Sequence, residues 1–214
     1  MCNSVPSLAP KAQAIFRNSN MIDANWRVLE NMLEKIIMDC MGQNLYNGLK
    51  QKLNGNTLTI QFQNDKGSSF NYQTGAIKLS SINMESNYLF HEMFHAYQAY
   101  QETQESYGDA VINLEIEAHY AQYLYLKKLP EYPGSKWTVE WAKPGRPTLT
   151  TSLEFYITPK GELIDDENGT QFNGHLKKLI NAFKKDPDYS GYNYDSSRQG
   201  LSNFQTLQIL TKGC

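Results

Sequence analysis

The chain has 214 residues, a net charge of −2 at pH 7 and 40% hydrophobic residues, which is typical of one globular domain with a buried core. The near balance of charge gives no reason to expect nucleic acid or an anionic membrane as a partner, and no apolar run is long enough to span a membrane. The first residues lack the apolar segment of a signal peptide, so we expect a soluble, cytoplasmic chain.

The first half of the chain shows one helical and two strand patterns. Apolar residues recur every three or four positions from Met21 to Cys40, which predicts a helix that Gly42 and the NGLKQKLNGN segment then break. Apolar and polar residues alternate in TLTIQFQ from Thr57 and in GAIKLSS from Gly75. These two stretches are predicted to be neighbouring strands of a small sheet.

Helical patterns dominate the remainder. One helix is predicted to begin between residues 81 and 85 and to end near residue 103, and a second over about 110–129, ended by Pro130. Residues 130–147 are rich in proline and glycine, which predicts a connector with a short strand around 137–141. Two more helices are predicted, over residues 172–183 and 201–210.

These elements predict an α+β fold that is mostly helical and contains a small mixed sheet. The three cysteines, Cys2, Cys40 and Cys214, lie far apart, which indicates neither a disulfide framework nor a cysteine-based zinc site. Cys40 is expected to be a small core residue on the apolar face of its helix.

The string His91-Glu92-Met93-Phe94-His95 has the form H-E-x-x-H. Residues four apart lie on one face of a helix, so the two imidazoles can reach one tetrahedral zinc ion, and Glu92 can act as general base toward a water. Apolar neighbours make these polar groups costly to bury unless they are paired or bound to metal. The competing interpretation is two ordinary half-buried histidines.

A zinc enzyme needs a third protein ligand. The positions where a metzincin has its glycine and third histidine are held by Gln98 and Gln101, which excludes that pattern. His119 is expected to lie away from the apolar face of its helix, and His175 is far along the chain.

Two glutamates on the following helix are better candidates. At about 100° per residue, Glu117 lies roughly 60° from Leu114 at the edge of the apolar face, whereas Glu115 lies roughly 100° away on the other side. The small residues Ala118 and Ala121 beside Glu117 favour close packing of this helix on another. Glu117 is therefore predicted to be the inward carboxylate, and the competing interpretation is that both are solvated acids.

HEMFHAYQ followed by NLEIEAHYAQ resembles a gluzincin zinc metallopeptidase of the short, minigluzincin-like kind, over about residues 57–129. The resemblance implies Zn²⁺ on His91, His95 and Glu117, with Glu117-Ala118 matching the family's glutamate and small residue. It also implies that an edge strand upstream of the motif helix holds substrate, a place that GAIKLSS would fill. Residues 1–214 would then form one zinc-peptidase-like domain, with the catalytic core at about 57–129 and a helical elaboration at 130–214.

The implied activity is hydrolysis of peptide bonds in a peptide or protein substrate by a metal-activated water, with Glu92 as general base. Gluzincins often stabilise the oxyanion with a downstream tyrosine or histidine, for which His175, Tyr192 and Tyr194 are candidates. Glu115 is either a surface acid or a supporting residue that orients one of the histidines. The alternative function is a non-catalytic, zinc-bound fold that acts as a protein-binding module. The sequence does not indicate the oligomeric state.

Overall fold

The computed structural model describes residues 8–65, 67–82, 84–132, 146–164 and 169–214. The described residues form a mostly helical α+β structure with a small mixed four-stranded sheet, as predicted. The chain divides into two compact units, Met1–Ala96 and Tyr97–Cys214, and the division falls inside one helix. The predicted short strand at 137–141 lies outside the described residues.

The first unit holds three helices, four strands and most of a fourth helix among its described residues. In chain order they are α1 (Pro10–Ile15), β1 (Phe16–Arg17), α2 (Asp23–Met38), α3 (Cys40–Leu53), β2 (Leu58–Gln63), β3 (Ser69–Asn71), β4 (Ala76–Ser80) and α4 (Ser86–Ala99).

The second unit is helical apart from one isolated bridge between Ile157 and Leu163, as far as its described residues show. Its elements are α5 (Gln104–Asp109), α6 (Val111–Leu126), α7 (Arg146–Thr151), a 3₁₀ turn (Ser152–Phe155), α8 (Gly169–Lys185), a second 3₁₀ turn (Gly200–Phe204) and α9 (Gln205–Thr211). Within the described part of the chain, no helix has the length and apolar character needed to cross a membrane.

The sheet has the strand order β1-β2-β4-β3, with β1, β2 and β4 parallel and β3 antiparallel to β4. Both predicted strands are confirmed, and Ile60, Ile77 and Leu79 are buried as their alternation requires. The expected edge position of β4 is wrong, because β3 pairs with it from Ala76 to Lys78. Strands as short as β1 and β3 show too little alternation to be predicted.

The segment after Met38 is a helix and not the predicted break. The backbone turns at Asp39, whose carboxylate accepts a hydrogen bond from the Gly42 amide at 3.0 Å and so caps α3. A Cβ atom at Gly42 would lie 2.0 Å from the Ile36 carbonyl oxygen. Gly42 therefore permits a close approach of two helices, and α3 is capped at its C-terminus by Asn54, which has a left-handed backbone with φ 46°.

The cysteine prediction is also wrong. Cys40 is exposed at the start of α3, and Cys40 and Cys214 are both disulfide-bonded. Separation along the chain does not limit which cysteines meet in a fold. Disulfides persist mainly in oxidising compartments, and the cytoplasmic location stays a prediction.

The helices of the second unit follow two different patterns. α8 buries one face, formed as predicted by Phe172, Leu176, Leu179, Ile180 and Phe183. α6 is buried at 14 of its 16 positions and has no single inward face. The predicted closing helix at 201–210 is a 3₁₀ turn followed by α9.

Candidate metal centre

The H-E-x-x-H string lies in the middle of α4, and its polar side chains are buried. The exposed fractions of His91, Glu92 and His95 are 8%, 4% and 5%. The Nε2 atoms of the two histidines are 3.0 Å apart, and the rings are nearly perpendicular at 84°. The helix therefore directs both ring nitrogens toward a common point, as the spacing of four residues predicts.

This arrangement fits a bound metal ion. Two imidazole nitrogens on one tetrahedral zinc, each at about 2.0–2.1 Å, would be separated by about 3.3 Å. The observed 3.0 Å is close to that separation. Two facing nitrogens of neutral imidazoles need a proton or a cation between their lone pairs, and a metal ion satisfies both at once.

A carboxylate completes a possible ligand set. His91, His95 and Glu115 form a group whose ligand atoms all lie within 4.8 Å of one another, so this His-His-Glu group could hold a metal ion. Two imidazole nitrogens and one carboxylate oxygen are donors that zinc accepts in catalytic sites, where a fourth position stays open.

Glu117, the ligand predicted from the sequence, is buried, and its carboxylate contacts α9 and Gln98. One of its carboxylate oxygens accepts a hydrogen bond from the Leu207 amide at 2.7 Å and the other accepts one from the Gln98 side chain at 2.8 Å. The amide and hydroxyl of Thr206 are further donors. Glu117 therefore sits at the N-terminus of α9, where the amides of the first turn need acceptors.

Burial raises the pKa of Glu117 to about 7, although the donors from Leu207, Gln98 and Thr206 oppose the shift. The structure groups Glu115, and not Glu117, with the two histidines. Glu117 is the more buried of the two carboxylates, as the helix-face argument predicted, so that argument identified the inward glutamate but not the one beside the histidines.

His119 is buried, contrary to the prediction that it lies away from the core. Its Nε2 atom lies 3.5 Å from a carboxylate oxygen of Glu115 and 3.0 Å from the hydroxyl of Tyr189. Sequence reasoning did not single out Tyr189, which is one of 14 tyrosines and lies 70 residues after His119. The spacing of four residues between Glu115 and His119 was the only available signal.

The candidates for oxyanion stabilisation have other contacts. His175 donates from Nε2 to the Leu149 carbonyl at 2.7 Å, so this nitrogen carries a proton and links α7 to α8. Tyr192 is 51% exposed, and the hydroxyl of Tyr194 contacts the Arg198 carbonyl at 3.5 Å. None of these contacts indicates a role in catalysis.

Comparison with known proteins gives no relative for this chain. No family model matches it, and neither a curated protein nor a solved structure does. The resemblance of the two motif segments to gluzincins therefore stays a prediction, and a function has to be argued from the geometry of the site.

Proposed function

We propose that the chain is a zinc-dependent peptidase in which His91, His95 and Glu115 hold the metal. The observation that carries this proposal is the convergence of two buried imidazole nitrogens at 3.0 Å, with a carboxylate among the neighbouring ligand atoms. The donor set supports zinc, and the substrate class, a peptide or protein, follows the resemblance of the motif segments to gluzincins.

Glu115 replaces Glu117 in this proposal because the two carboxylates have different partners. Both oxygens of Glu117 accept short hydrogen bonds from groups that need an acceptor. Moving Glu117 onto a metal would leave the Leu207 amide without this acceptor, and a buried unsatisfied donor costs about 1–3 kcal/mol.

Zinc, when bound, supplies a Lewis acid that polarises a carbonyl group and lowers the pKa of water toward about 7. Glu92 takes a proton from the attacking water and returns it to the leaving amine. Its helix position, one residue after His91, turns its side chain about 100° from that ligand, so Glu92 acts as a base and not as a third ligand of the same face. The buried surroundings of Glu92 limit access of bulk water to this step.

The test is zinc content and peptide cleavage by the full chain, compared with Glu92→Gln. We expect one zinc per wild-type chain. Glu92→Gln should keep the metal and the fold but lose activity by about 10²–10⁴-fold, because glutamine has nearly the same shape but cannot accept the proton.

Three outcomes would count against the proposal in different ways. A wild-type chain that cannot take up zinc would contradict the metal site. A Glu92→Gln variant that cleaves as well as wild type would rule out Glu92 as the base. A zinc-loaded wild type that cleaves nothing in a diverse peptide pool would favour the non-catalytic binding module.

A further inference from the structure

A histidine that has no step in the proposed reaction, His119, lies beside the carboxylate of Glu115. Glu115 and His119 lie four residues apart on α6, on one face of the helix. A carboxylate oxygen of Glu115, Oε2, is 3.5 Å from Nε2 of His119. The same nitrogen is 3.0 Å from the hydroxyl oxygen of Tyr189, so it hydrogen-bonds to Tyr189 and lies beside Glu115 as its second oxygen neighbour.

Aromatic packing fixes the orientation of the His119 ring. The ring lies 5.8 Å from that of the fully buried Phe183 and 6.0 Å from that of Tyr189. Tyr189 meets Phe183 edge-on, at 5.0 Å and 75°, and its amide donates to the Asp186 carbonyl at 3.0 Å in the turn after α8. The two neighbouring rings thus restrict rotation of the imidazole and keep its Nε2 atom between the Tyr189 hydroxyl and the Glu115 carboxylate.

We propose that His119, held in place by Tyr189, positions the Glu115 carboxylate for the metal ion, an inference that rests on the proposed function. A glutamate side chain loses rotational freedom when it binds a metal, and a fixed neighbour reduces that loss. The imidazole edge 3.5 Å from Oε2 limits how the carboxylate can turn, so the group stays beside the two histidine ligands. His119 and Tyr189 are positioning residues in this scheme, since they act through Glu115.

The test is the zinc affinity of the full chain, measured by competition with a chelator. His119→Phe keeps a ring in the aromatic cluster but removes the N–H, and we expect zinc affinity to fall by about 10–100-fold, the range for partners that orient a ligand. His119→Gln returns an amide N–H near the position of Nε2 and should restore most of the affinity. Tyr189→Phe keeps the rings and removes the hydroxyl, so a loss of about threefold to tenfold is expected, below that range.

His175→Phe is the matched control. His175 is also a buried histidine of the second unit, but its Nε2 donates to the Leu149 carbonyl. This variant should lose stability as His119→Phe does and keep wild-type zinc affinity. Visible absorption of the cobalt-substituted protein adds a second readout, because it reports the ligand geometry: His119→Phe should alter the spectrum and His175→Phe should not.

A double-mutant cycle separates positioning from general stability. In a Glu115→Gln background, His119→Phe should change zinc affinity by less than about twofold, because its effect passes through Glu115. An equal loss with and without Glu115 would overturn the inference, as would wild-type affinity in both His119→Phe and Tyr189→Phe. If His119→Phe does not fold, Tyr189→Phe and His119→Gln still decide between these outcomes. A wild-type chain that takes up no zinc would overturn the proposed function and this inference with it, whereas failure of the variants alone would overturn only the inference.

Discussion

Glu115 and Glu117 lie two residues apart on α6, yet their carboxylates have different surroundings. Glu115 is partly exposed, with His119 as a neighbour at 3.5 Å. Glu117 is buried and accepts hydrogen bonds from α9 and from Gln98. The comparison teaches that burial alone does not identify a ligand: a buried acid whose oxygens are already satisfied acts as structural support.

The largest expected effect separates the two glutamates by metal binding. Glu115→Gln should weaken zinc binding by at least about 100-fold, beyond the usual effect of a supporting partner, because it removes a charged ligand. Glu117→Gln should leave zinc affinity within about threefold of wild type, because its carboxylate is engaged at α9. Chelator competition on the two purified variants checks this. Loss of zinc in Glu117→Gln with zinc retained in Glu115→Gln would return the ligand to Glu117.

The second effect concerns stability. Glu117→Ala should lower the free energy of unfolding by about 3 kcal/mol at pH 5, because it leaves a cavity and removes the acceptor of the Leu207 amide. Glu115→Ala, at a partly exposed position, should cost less than about 1 kcal/mol in metal-free protein. Urea unfolding in the presence of a chelator measures both. If the two variants lost equal amounts of unfolding free energy, the difference in burial and hydrogen bonding between Glu115 and Glu117 would not affect stability.

The motif helix was predictable because its signal is local. A spacing of four on any helix brings His91 and His95 together, and the surrounding apolar residues indicate burial. The strands β2 and β4 and the apolar face of α8 follow from periodicity in the same way. In each case one face or one alternation decides which side chains point inward.

The carboxylate that lies beside the two histidines was not predictable by the same means. Helix phase separates the two glutamates, since Glu117 is buried and Glu115 is one of the two α6 positions that are not, but it does not show which of them lies beside the histidines. What distinguishes them is the amide of Leu207, which is 90 residues beyond Glu117 in the chain. His119 and Tyr189 are likewise far apart in the sequence. Their contact is therefore known only from the folded structure.

A third effect is pH dependence, which the raised pKa of Glu117 predicts. With a pKa of about 7 in the folded chain against 4.5 as its ordinary value, Glu117 binds a proton more tightly when folded. Stability should therefore fall as the pH rises through this range, by about 2 kcal/mol between pH 5 and pH 7. Glu117→Gln should lack this component, because glutamine does not titrate. Metal-free wild type whose unfolding free energy follows that of Glu117→Gln at every pH would contradict the shift.

The smallest expected effect tests the link between α4 and Glu117. Gln98 donates from Nε2 both to Glu117, at 2.8 Å, and to the Leu114 carbonyl, at 3.1 Å. Gln98→Ala removes both contacts and leaves the other donors to Glu117 in place, so we expect a loss of about 1–2 kcal/mol in unfolding free energy. The pKa of Glu117 should rise further, because one of the donors that lower it is gone. Gln101→Ala is the control, since Gln101 is exposed and its side-chain amide donates to the Thr206 hydroxyl at 3.4 Å. If Gln98→Ala and Gln101→Ala had the same stability at every pH, Gln98 would not contribute to holding the carboxylate, and the contrast between Glu115 and Glu117 would rest on α9 alone.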